Sequence, residues 1–226
     1  MDRPHRTAGL RVWPCDERNG CIYVWNHPDG GEPLWPVVDA FDDLEGKASE
    51  SADDYYPPHP HGAVRIEGVT THPKITADNI ADFRHFKTVH GTGLPELREW
   101  KADDATFRAE MDFRSGRDGA LAASLTLVLS GVGIVFTRQD GNMPQRVSLS
   151  TTPVGDGRSD LLLTTWIRRE EGDADGTSEP IAQRYAAAAA ALPQDIEIWG
   201  HQHFVERPLL APYERGLAEF LSLIHI

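Results

Sequence analysis

Five segments between residues 107 and 168 limit this chain's fold more than any other feature. Residues 107–113, 120–130, 133–138, 146–152 and 161–168 are each rich in β-branched or aromatic side chains, and Gly, Asp or Asn turns separate them. The pattern predicts an antiparallel meander of five or so strands. Residues 121–128 carry apolar side chains on both parities, which predicts a central strand covered on both faces. Residues 63–71 alternate as a further strand. Nearer the N-terminus, residues 9–26 predict a β-hairpin, with strands at 10–14 and 21–25 around a turn at 16–20 that ends in Asn19-Gly20.

The helices follow from other signals. After an acidic loop at 170–178, Ser178-Glu-Pro180 opens a helix that runs through Tyr185 and the six alanines 186–191. Pro193 breaks or kinks it, and a second helical stretch continues to Gly200. One long C-terminal helix packed on a curved antiparallel sheet is an α+β architecture of the helix-grip (Bet v 1/START-like) type, in which the wrapped sheet leaves a cavity. Residues 37–61 are acidic, Pro-rich and weakly periodic, as a linker or wrapping arm.

A second helical run carries the chemistry. Residues 78–91 read Asp-Asn-Ile-Ala-Asp-Phe-Arg-His-Phe-Lys-Thr-Val-His-Gly, with Thr76 as the expected cap and Ile80, Phe83, Phe86 and Val89 at amphipathic spacing. Asp82, His85 and His90 form Asp-x-x-His-x-x-x-x-His, and the two histidines therefore sit beside a buried face. Two neutral imidazoles and one carboxylate form the facial triad of non-haem iron. On a regular helix, however, His85 and His90 diverge by about 140°. Either a π-bulge brings them together or, as we favour, His90 lies at the fraying end before a left-handed Gly91. The plainer alternative is one core histidine and one surface histidine. For the third ligand, Asp195 shares a helical face with Ile198 and Trp199, whereas Glu197 faces with Gly200 and His201. Asp195 is preferred, the alternative being a capping or ion-paired aspartate. His201 and His203 diverge too far on a helix to serve as joint ligands.

Composition excludes several classes. A net charge of −13 over 226 residues, with scattered Lys and Arg, argues against a nucleic-acid partner. No run of 18 apolar residues exists and the first six residues lack an apolar signal core, so no membrane span and a cytoplasmic location are expected. Cys15 and Cys21 are too few for a disulfide scaffold, and their spacing matches no common metal knuckle.

With these segments in hand, the chain resembles the Rieske non-haem iron oxygenases, in particular the branch containing the oxygenase component of bacterial 3-ketosteroid 9α-hydroxylase and the cholesterol 7-desaturases. Four stretches carry the resemblance. Residues 11–25, Arg-Val-Trp-Pro-Cys-Asp-Glu-Arg-Asn-Gly-Cys-Ile-Tyr-Val-Trp, look like the last hairpin of that family's Rieske domain. Residues 78–91 match its iron-helix motif, and Asp-Ile-Glu-Ile-Trp at 195–199 with Arg207-Pro208-Leu209 matches its C-terminal ligand segment. The resemblance implies that His85, His90 and Asp195 hold a mononuclear Fe(II), that Asp82 relays electrons from a neighbouring subunit's cluster in a homotrimer, and that Asn79 lines the site. It also implies O2, an apolar and possibly steroid substrate, a ferredoxin or flavin reductase as electron source, and a [2Fe–2S] Rieske cluster in the full-length protein.

The cluster ligands of the family, Cys-x-His and Cys-x-x-His, are absent from this sequence. The expected organisation is a Rieske remnant at 1–36, a linker at 37–62, a catalytic domain at 63–220 and a non-native tail at 221–226. That tail, Leu-Ser-Leu-Ile-His-Ile, reads as a translated adaptor from transposase-made sequencing libraries, as expected of a fragment of a longer gene that is inactive alone. Two other classes compete: a non-catalytic helix-grip module binding lipid or sterol in the same cavity, and a zinc hydrolase. The second lacks a His-Glu-x-x-His motif.

Overall fold

The computed structural model describes residues 12–44, 50–103, 106–173, 175–205, 208–211 and 214–224. The chain divides into two compact units, Met1–Asp39 and Ala40–Ile226. In the first, strands β1 (Cys15–Arg18) and β2 (Cys21–Val24) pair antiparallel, Arg18 opposite Cys21. Asn19 and Gly20 alone make the turn, both left-handed with φ of 58° and 68°, which suits a tight hairpin. This corrects the expected five-residue turn and shifts the first strand from 10–14 to Cys15–Arg18. Pro14 still accepts from the Trp25 N–H at 2.9 Å but has no N–H to return, so the ladder stops there. Leu10 and Arg11 lie outside the described residues.

The second unit is built on a seven-stranded antiparallel sheet. Its strands are β3 (Ala63–Thr70), β4 (Glu96–Asp103), β5 (Thr106–Arg114), β6 (Leu121–Ser130), β7 (Ile134–Gly141), β8 (Gln145–Gly155) and β9 (Arg158–Ile167), in the order β3-β9-β8-β7-β6-β5-β4. The meander is therefore longer than expected by β4. That edge strand carries Glu96, Arg98, Glu99 and Lys101, and a register shift between Leu97 and Glu99 breaks its alternation. β6 is interior to the sheet and buried on both parities from Leu125 to Ser130, although β7 is the middle strand.

One face of the sheet holds the main core. Phe107, Met111, Leu127 and Leu161 pack there with α1 (Pro73–Ala81), α4 (Leu192–Trp199) and α5 (Arg215–Ile224) through Ile75, Trp199 and Phe220. Leu221, the first residue of the expected tail, is buried in this cluster. A separate cluster of Tyr56, Ile167, Ile181 and Tyr185 seats α3 (Glu179–Ala188). Tyr185 donates to the Tyr56 and Pro57 carbonyls, and burial pushes its phenol up to about 12. Part of the acidic 37–61 stretch packs closely: Ala40, Leu44, Tyr55 and Tyr56 are buried.

Two helical expectations need correction. The single kinked helix is instead α3 and α4, with residues 189–191 outside both. Pro193 cannot donate and its ring clashes with the carbonyl four residues back, at Ala189, so the helix ends and a new one starts with Pro193 in its first turn. The fold is α+β with an antiparallel sheet, but the long gripped helix is absent among the described residues. At α1, Pro73 opens the helix and the His72 ring accepts from the Lys74 N–H at 3.1 Å. Thr76 is an interior residue, donating to the Pro73 carbonyl at 2.7 Å, not the cap.

Candidate metal centre

The helix that carries the histidines breaks where the sequence puts Asp82. α1 ends at Ala81, where the Asp82 N–H donates to the Asp78 carbonyl at 3.1 Å; the Asp82 side chain then accepts from the Arg84 N–H at 3.0 Å, and a one-turn helix α2 (His85–Thr88) follows. His90 lies past α2 and Gly91 is left-handed at φ 65°, as favoured over a π-bulge. Released from helical geometry, the two imidazoles come to a ring-centroid separation of 5.2 Å, edge to face.

His85 is 6% exposed and stacks on Phe86 at 4.3 Å. Its Nδ1 meets the Asp82 backbone carbonyl, which leaves Nε2 free. Burial lowers the His85 pKa, only partly opposed by that hydrogen bond, and so keeps the ring neutral as a ligand requires. His90 Nδ1 lies 3.0 Å from Gln194 Oε1, and His90 Nε2 lies 3.3 Å from Asp195 Oδ1. Asp195 sits in the first turn of α4. Leu192 and Trp199 mark its inward side, whereas Ile198, expected there, is exposed.

Ligand atoms of His85, His90 and Asp195 all fall within 4.8 Å of one another. Burial pushes the Asp195 carboxyl up to about 6, against the smaller opposing influences of His90 and the Asn79 side chain. Asp195 Oδ1 is buried yet has no hydrogen-bond partner, its 3.3 Å approach to His90 Nε2 being no hydrogen bond. A buried oxygen left this way is costly, and a cation held by all three residues removes the cost. The donor set, two imidazoles and a carboxylate, fits a divalent iron with open positions.

Of the remaining candidates, Asn79 is half-buried beside Asp195, and Asp82 is exposed while its carbonyl steadies His85. Glu197, His201 and His203 are exposed and outside the cluster, and Arg207 lies outside the described residues. Gln194 was not foreseen; its only sequence signal is that it precedes Asp195. A shallow cleft between α1 and strands β6 to β8, lined by Thr76, Ala77, Leu129, Val135, Leu149 and Thr151, encloses about 10 Å³. That is far below the size of a ligand pocket, roughly 300–1,000 Å³. Among the described residues no helix is long and apolar enough to cross a membrane.

Residues 24–219 match the model of the 3-ketosteroid 9alpha-hydroxylase C-terminal domain. The chain belongs to this family. Among curated relatives, an oxygenase component of 3-ketosteroid-9-alpha-monooxygenase from Rhodococcus rhodochrous is 25% identical over 92% of this chain and 57% of its own length. A cholesterol 7-desaturase from Hemicentrotus pulcherrimus is 23% identical over 94% of this chain and 48% of its own. This family member thus spans about half the length of the curated relatives it matches. Among solved structures, the NdmA QL mutant of Pseudomonas putida CBB5 with theobromine superposes with a TM-score of 0.63 at 15% identity, covering 99% of this chain and 63% of that one. At that identity the likeness speaks to fold alone.

Proposed function

We propose that His85, His90 and Asp195 bind one mononuclear Fe(II), and that this chain is the iron-bearing part of a Rieske-type oxygenase component acting on an apolar, steroid-like substrate. The observation that carries the reading is the convergence of the three ligand atoms around an otherwise unpartnered Asp195 oxygen. When bound, the iron supplies O2-dependent hydroxylation or desaturation of an unactivated C–H bond. The electrons come from a ferredoxin or flavin reductase by way of a [2Fe–2S] Rieske cluster in the longer protein.

The chain's residues do the rest. Burial keeps His85 neutral, and Asp195 contributes the one negative charge. Asn79 steadies that carboxylate. Asp82 has two parts: its carbonyl orients His85, and its exposed carboxylate faces outward as the relay from a neighbouring subunit's cluster in a homotrimer. The organisation that goes with this reading is a Rieske remnant at 1–36 and a catalytic domain at 63–220, in a cytoplasmic protein.

Anaerobic titration of the metal-free protein tests the proposal. Wild type is expected to take up about one Fe(II) per chain and His85→Ala to lose it. A folded wild type that binds none rejects the reading. Sterol binding that is indifferent to changes at all three ligands would instead favour a non-catalytic lipid module.

A further inference from the structure

We propose that Gln194 is a positioning residue for this centre: its side-chain carbonyl accepts the Nδ1 proton of His90 and so reserves Nε2, the nitrogen beside Asp195, for the metal. The inference rests on the reading of His85, His90 and Asp195 as ligands, and it concerns how the second imidazole is made ready.

A neutral imidazole carries one ring proton, and the nitrogen that holds it cannot ligate. Two acceptors stand at the two ring nitrogens of His90. Gln194 Oε1, at 3.0 Å from Nδ1, has the geometry of a hydrogen bond. Asp195 Oδ1, at 3.3 Å from Nε2, does not, and it has no other hydrogen-bond partner. The proton therefore belongs on Nδ1. What remains between Nε2 and Oδ1 is the arrangement of two ligands flanking an ion.

The two acceptors are consecutive residues in the first turn of α4, so one turn of helix addresses both edges of the ring. His85 is handled alike by a different means, its Nδ1 meeting the backbone carbonyl of Asp82 three residues earlier. His90 lies beyond the end of α2. Its holder is a side chain from another element 104 residues away in sequence. Metal-ligating histidines generally owe their tautomer to such a partner. Gln194 is exposed, so replacing it leaves the core intact.

The test compares wild type with Gln194→Leu, which lacks the acceptor, and Gln194→Glu, which keeps one. Long-range 15N spectra of the metal-free proteins, at a pH of about 8 where imidazole is neutral, read the His90 tautomer. Co(II) titration reads affinity. The expected result is an Nδ1–H tautomer in wild type that is lost in Gln194→Leu, with affinity lowered about ten- to a hundredfold, and both restored in Gln194→Glu. A Gln194→Leu protein that keeps the tautomer overturns the inference, whether its affinity is unchanged or lowered by some other route. If wild type binds Co(II) and Gln194→Leu binds it equally well, the positioning role fails while the proposed function stands. If wild type binds no Co(II), the proposed function fails and the metal-directed role of Gln194 fails with it.

Discussion

Two carboxylates of the second unit, Glu50 and Asp195, are buried among nitrogen groups and are treated in opposite ways. Glu50 receives three donors: the Tyr55 hydroxyl at 3.1 Å, Arg146 Nη2 at 3.1 Å and Arg168 Nη1 at 3.1 Å. Arg146 is fully buried between the rings of Phe41 and Tyr55, 5.1 and 5.3 Å from their centroids. This cluster ties the 50–55 segment to β8 and the end of β9, and protein groups saturate its carboxylate. Asp195 is nearly as buried, yet one of its oxygens is left without a hydrogen bond. In the first cluster the carboxylate is satisfied, and the buried atoms left over, Arg146 Nε and Nη1, belong to a guanidinium held over the Phe41 and Tyr55 rings; in the second the atom left over is the carboxylate oxygen itself, the atom that a cation would take.

The largest expected effect separates the two clusters. Glu50→Ala strands two guanidinium groups, one of them in the interior, and is expected to cost about 3–5 kcal/mol in denaturant unfolding without changing metal affinity. Equal loss of stability and metal binding would merge the clusters into one system. Asp195→Asn is expected to act the other way. It abolishes Fe(II) uptake but raises the stability of the metal-free protein above pH 6, by about 1–3 kcal/mol, the scale of one unsatisfied buried polar group.

The pH dependence sharpens the contrast further. The folded-state pKa of Asp195 is raised to about 6, above the unfolded value of 3.8. Folded protein therefore holds a proton that unfolded protein releases, so the metal-free fold loses stability as pH rises from about 4 through 6. Metal affinity moves oppositely, because the proton competes with the ion: affinity rises as pH passes through about 6. In Asp195→Asn the stability step disappears, and a step that persists assigns it to another group. Metal at a hundredfold excess over its Kd adds about 2.7 kcal/mol to wild type and nothing to Asp195→Asn. The smallest effect is expected at Asp82→Asn. Its role toward His85 runs through the backbone carbonyl, so Fe(II) affinity should stay within about threefold of wild type on the scale of a partner's loss.

Much of this was legible in the sequence, for physical reasons that also explain the gaps. Strands β5 to β9 declare themselves because β-branched residues alternate between Gly and Asp turns, and Gly91 announces its own left-handed geometry. Asp195 is legible because a carboxylate on the side of Trp199 has few reasons to be there. Three features are not. β4 is hidden by its charges and its register shift. The break at Asp82 depends on a side chain folding back onto the Arg84 N–H, which spacing alone does not report. Pro193 announces a break or a kink without saying which; its clash with the Ala189 carbonyl is relieved by ending one helix and starting another. Gln194 is invisible until α4 is set beside His90, since nothing local ties positions 90 and 194.

The most direct test of the metal centre is a crystal of the Fe(II)-loaded protein measured on both sides of the iron absorption edge. One anomalous peak between His85 Nε2, His90 Nε2 and the Asp195 carboxylate is the predicted result. A peak elsewhere, or none in crystals whose protein is folded as described, contradicts it.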